Sequence, residues 1–78
     1  MDPDFQETDA LLTHREREII TVAAQGLTAR EIGTQLGVRE RTVTTHLGNI
    51  YRKLGCRSRL SAVSVAQRSG LLTLARVE

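Results

Sequence analysis

From Ala29 to Gly55 the chain reads AREIGTQLGVRERTVTTHLGNIYRKLG, which spells two short helices joined at a glycine. The first reads from Thr28 to Leu36, where Thr28 and Glu31 have capping-box spacing and Ile32 and Leu36 lie four apart on one face. Gly37 ends it, because glycine takes the left-handed backbone at no steric cost. The second runs from about Arg41 to Leu54, with Val43, Leu47, Ile50, Tyr51 and Leu54 on one stripe. Gly33 is the small residue, Gly37 the turn residue and Val43 the inward-facing apolar residue that two closely crossing helices need. That is the layout of a helix-turn-helix.

Opposite the apolar stripe of the second helix lie Arg41, Thr44, Thr45, Gly48, Asn49 and Arg52, with Lys53 at the flank. This face carries small, hydrogen-bonding or cationic residues and no carboxylate, whereas a solvated helix ordinarily mixes both signs. The charge of the chain divides at the same place. Met1 to Glu40 holds eight acids and four arginines, net −4, while Arg41 to Glu78 holds seven cations and one acid, net +6. Positive charge beside a groove-sized helix face attracts a phosphate backbone, by Coulomb steering and by release of condensed counterions.

Composition narrows the alternatives. A chain of 78 residues, 40% hydrophobic and with only Phe5 and Tyr51 as aromatics, builds one small domain around a modest aliphatic core. No apolar run has bilayer length and the acidic start, MDPDFQETDA, lacks the apolar centre of a secretory signal, so a cytoplasmic protein away from membranes is expected. Cys56 is the only cysteine, which excludes an intrachain disulfide and reads as a buried small hydrophobe. His14, His46 and the carboxylates have no metal-ligand spacing. No base, nucleophile and orienting acid converge in the pattern, so neither an enzyme nor a cofactor is expected.

The remaining segments complete an all-α reading. Residues 1–10 are polar and read as a flexible acidic linker or an expression remnant, residues 11–74 as the domain, and residues 75–78 as a tail. Thr13 and Glu16 form another capping box, opening a helix to about Gln25 with Ile19, Ile20, Ala23 and Ala24 as its core face and Gly26 as its stop. A basic loop, Cys56 to Ser58, leads to a last helix ending near Ser69 and Gly70. In that helix Ala62, Val63 and Ala66 fit a core arc, while Ser61, Ser64 and Val65 fall largely outside it. A second contact surface would account for this, and a two-fold dimer would set two recognition helices about 34 Å apart on successive major-groove faces.

Together the strings LTHREREIITVAAQGLTAREIGTQLGV, TVTTHLGNIYRKLG and SRLSAV with a closing GLL resemble the DNA-binding domain of the LuxR family, over roughly residues 11–72. The resemblance implies a four-helix domain of bacterial transcription regulators, binding double-stranded DNA with its third helix in the major groove. It places Thr44, Thr45 and Gly48 at base edges, Thr42, Asn49 and Lys53 near phosphates, and Thr28 at the backbone end of the second helix. Arg41, Val43, His46 and Arg52 complete the implied DNA-binding set, with His46 packing and also bonding a phosphate or the backbone. The fourth helix would pair protomers in a homodimer, DNA-assisted, through Ser61, Ser64, Val65 and Arg68. RNA polymerase is a further candidate partner, and Arg59 and Glu16 match positions that could pair between the last and first helices.

Two departures fall at the DNA surface. Arg39 stands where relatives often carry a serine or threonine cap, which costs about 1 kcal/mol and sets a cation at the positive end of the helix dipole; a phosphate could repay it. Thr44 stands where a lysine is frequent, so the reading surface is short and neutral, and thymine methyl contacts and DNA shape would carry more of the specificity. Two alternatives remain at this level: a promoter binder like region four of a sigma factor, and a protein-interaction module without DNA binding.

Overall fold

The computed structural model describes residues 12–72; the linker expected over residues 1–10 and the tail over residues 75–78 lie outside them. Four helices are present among the described residues: α1 (His14–Ala23), α2 (Ala29–Leu36), α3 (Glu40–Leu54) and α4 (Arg59–Arg68). Both capping boxes form. The Thr13 hydroxyl accepts the Glu16 N–H at 3.1 Å and Glu16 Oε1 accepts the Thr13 N–H at 2.9 Å; Thr28 and Glu31 repeat the arrangement at the same distances. Each box satisfies two donors that a helix start leaves free. Leu27 and Ile32 flank the second box at the positions of a hydrophobic staple, which fixes the angle at which the chain enters α2.

The turn between α2 and α3 depends on two glycines. Gly37 ends α2 at φ +75°, and the Val38 N–H then reaches back to the Gly33 carbonyl at 2.9 Å. Gly33 is buried where the turn crosses its own helix, and the absent side chain is what lets that crossing close. α3 begins at Glu40, one residue before the expected start, with Arg39 in the cap position and making no side-chain cap bond. The uncapped start agrees with the sequence reading. Glu40 lies in the first turn, where a carboxylate suits the helix dipole.

The core draws on every helix. Ile19, Ile20, Ile32, Val43, Ile50, Ala62, Ala66 and Leu71 are wholly inaccessible, and Leu12, Val22, Ala23 and Leu47 nearly so. α3 packs against all three other helices. α1 ends at Ala23 rather than near Gln25; Ala24 caps it half-buried, and Val22 joins the core face instead. In α4 only Ala62 and Ala66 are buried, and Val63, expected in the core arc, is half-buried. Cys56 is also half-buried rather than enclosed, packed against the core edge with Sγ 3.5 Å from the Leu54 carbonyl.

Candidate nucleic-acid interface

Burial sorts α3 into two faces. Val43, Leu47 and Ile50 are turned wholly or nearly wholly inward, and Tyr51 and Leu54 pack half-buried beside them. Arg41, Thr42, Thr44, Thr45 and Arg52 are exposed, and Gly48 and Asn49 are partly so. At about 100° per residue, Arg41, Thr44, Thr45, Gly48 and Arg52 lie within one third of the circumference. Val43 has no accessible surface, so its place in the DNA-contact set is corrected: it anchors α3 to the core and has nothing to offer a groove.

Hydrogen bonds refine what this face can do. The Thr44 hydroxyl donates to the Arg41 carbonyl at 2.9 Å, which commits its proton and leaves lone pairs and a methyl group outward. Such a side chain accepts from an exocyclic amine or touches a thymine methyl. The Arg52 guanidinium donates to Asn49 Oδ1, fixing a long cation against the helix. A Cβ built on Gly48 meets nothing within 4 Å, so the middle of the face is a shallow dip with open space above it. Thr28 stands exposed at the start of α2 with its hydroxyl oxygen accepting the Glu31 N–H, and Arg39 is exposed at the start of α3.

His46 is half-buried at the margin of the apolar stripe, and its Nδ1 is shielded with no hydrogen-bond partner among the described residues. Among the described residues no bond from Nδ1 to the backbone forms.

At the far end of α3 the structure revises one reading, the Arg59–Glu16 pairing, and gives Lys53 a partner within the protein. The Lys53 ammonium lies 2.7 Å from Glu16 Oε1, the same oxygen that caps α1. Glu16 is nearly inaccessible; burial pushes its carboxyl up, but the hydrogen bond and charge of Lys53 and the donors of Thr13 outweigh this and hold it below the usual range. Arg59, matched to Glu16 by the resemblance, donates instead to the Leu27 carbonyl at the entrance to α2. The physical reason is competition for acceptors. Glu16 is already occupied by the last turn of α3, whereas the Leu27 carbonyl lies outside any helix and needs a donor.

The expected dimerisation residues line one side of α4. Ser61 and Arg68 are exposed, Ser64 and Val65 half-buried, and together with Gly55, Cys56 and Arg57 they border a shallow groove. Arg68 donates to Ser64 Oγ at 3.0 Å within the helix. Sequence reasoning passed over Leu60, which is 82% exposed at the start of α4. Its signal was available, since Leu60 is the one long apolar residue of that helix and lies off the Ala62–Ala66 line. None of the helices among the described residues is long and apolar enough to cross a membrane.

A helix-turn-helix whose second helix is anchored by a full apolar stripe and shows an acid-free, partly cationic face outward defines a DNA-binding domain. Residues 10–66 match the bacterial regulatory proteins of the luxR family, and the chain belongs to that family. It is 41% identical over 71 residues to the spore germination protein GerE of Bacillus subtilis, a match covering 91% of this chain and 95% of that protein. The solved structure of GerE superposes with a TM-score of 0.76 at 39% identity, covering 82% of this chain and 96% of that one. The transcriptional regulatory protein YdfI of Bacillus subtilis is 42% identical over 88% of this chain but only 32% of its own length. The response regulator ChrA of a heme-sensing two-component system superposes with a TM-score of 0.76 at 37% identity, with 91% of this chain and 33% of that chain covered. The chain thus spans about a third of several of its relatives and nearly all of GerE. Membership in the luxR family replaces the sigma-factor reading, and DNA-binding transcription regulation replaces the protein-interaction module.

Proposed function

We propose that α3 enters the major groove with Thr44, Thr45 and Gly48 against base edges, while Arg39, Arg41, Thr42, Asn49, Arg52 and Thr28 meet the phosphates on either side. The observation that carries this is the exposed arc of α3 opposite the buried Val43, Leu47 and Ile50, which holds two arginines, two threonines, Gly48 and no carboxylate, with Thr42 exposed at its flank. Short side chains around Gly48 allow the backbone of α3 to sit deep in the groove, so thymine methyls and groove shape contribute to specificity alongside hydrogen bonds. The chain acts without catalysis, in the cytoplasm, as a transcription regulator or as the DNA-binding part of a larger one.

Two copies bind one duplex, pairing through Ser61, Ser64, Val65 and Arg68 of α4. Only Ala62 and Ala66 of that helix are buried, and the remaining residues, exposed or half-buried, support this. With so small an apolar surface the dimer forms on DNA rather than ahead of it, and RNA polymerase is met in that complex.

A titration of the chain against labelled duplex at rising salt tests the reading. Affinity falls steeply, by about 0.9 logarithmic units per unit of log salt for each phosphate contact. An affinity indifferent to salt would sink the proposal. Sedimentation with a palindromic duplex then reads two chains per duplex for the dimer, against one for independent binding.

A further inference from the structure

We infer that Lys53 governs DNA binding at second hand: tied to Glu16, it sets the pose of α3 and leaves the phosphates to its neighbours. Lys53 follows Arg52 and so lies about 100° around the helix from it, on the side that faces α1. Its ammonium is 2.7 Å from Glu16 Oε1, which also accepts the Thr13 N–H at 2.9 Å. One carboxylate oxygen therefore joins the first turn of α1 to the last turn of α3 across 37 residues of chain. The Glu16 side chain is only 5% exposed, whereas that of Lys53 is 36% exposed. Were Lys53 to swing to a phosphate, Glu16 would keep its charge in a buried site with no cation beside it, a loss that an exposed, salt-screened phosphate contact does not repay. The pair holds the far end of α3 down while the Gly33 crossing holds the near end. The angle of the reading face is thus fixed at both ends.

This inference rests on the placement of α3 in the groove, and the controls separate the two. R52A lowers the salt slope by about 0.9 if the groove placement is right and leaves binding unaffected if it is wrong. The decisive variant is the double E16Q/K53M, in which glutamine retains the capping acceptor and the pair keeps its net charge of zero. Affinity is measured at a temperature where circular dichroism reads both proteins fully folded, so lost stability alone moves nothing. We expect affinity to fall by roughly tenfold with the salt slope unchanged, and K53R to retain wild-type affinity. A slope lower by about 0.9 makes Lys53 a phosphate contact and overturns the inference; so does an unchanged affinity, which reduces the pair to a fold contact. If the double variant does not fold, K53M is read alone. An unchanged slope with weaker binding supports the inference, and a slope reduced by one contact overturns it.

Discussion

Gly33 and Val38 touch through backbone alone: a Cβ placed on Gly33 would stand 2.6 Å from the Val38 carbonyl oxygen, with Arg39 and Glu40 backbone atoms 3.4 Å away. None of these atoms belongs to a flexible side chain that can turn aside. The G33A variant therefore forces α2 and α3 apart, and the gain in helix propensity, about 1 kcal/mol, is outweighed. We expect a net loss of about 1–3 kcal/mol in urea denaturation. G48A provides the contrast, because a Cβ there meets nothing within 4 Å. That variant gains about 0.5–1 kcal/mol in the same measurement.

Arg39 sets stability against binding. It occupies the cap position of α3 without a cap bond and brings a cation to the positive end of the helix. R39S supplies the missing acceptor and removes the charge, so the melting curve moves upward by the equivalent of about 1 kcal/mol. The same change deletes a proposed phosphate contact. Duplex affinity at fixed salt falls in the more stable protein.

Positioning and reading divide between Arg52 and Thr45. R52A weakens binding to all duplexes alike, as loss of a phosphate contact does. T45A changes the ranking of duplexes, by about 1 kcal/mol or more at the base pair it faces, measured by competition among operators differing at single positions. A uniform loss for T45A would mean that α3 lies in the groove with another edge toward the bases.

Much of this fold is legible in the sequence, for local reasons. Thr13 with Glu16, and Thr28 with Glu31, are decided within one turn of chain, and the apolar stripe of α3 follows from its own period. What could not be read were contacts between residues distant in sequence. Glu16 has a suitable cation in both Lys53 and Arg59, and composition does not say which reaches it; packing of the last turn of α3 against α1 decides for Lys53. The half-buried state of Cys56 and Val63 is of the same kind, because α4 gives the core only two alanines and so leaves its flanks open.

Acid tests the Glu16 pairing from another side. The folded carboxyl sits below its ordinary value of 4.5, so its stabilising contribution is complete above that value and is lost as pH falls through the lower, folded one. Wild-type melting temperatures decline along that acid limb. In E16Q the decline is shallower, and the two proteins converge at the acid end; parallel limbs would assign the acid sensitivity to other carboxylates.

Because α3 is braced by all three other helices, by the backbone crossing at Gly33 and by the ion pair at Lys53, tilting its reading edge toward an imperfect site would have to break one of these contacts. A stylus held so firmly leaves the duplex as the partner that yields. Operator strength then follows the ease with which a sequence opens or narrows its groove to a fixed shape, and a poor site is costly through the bending it demands even where no contact is lost.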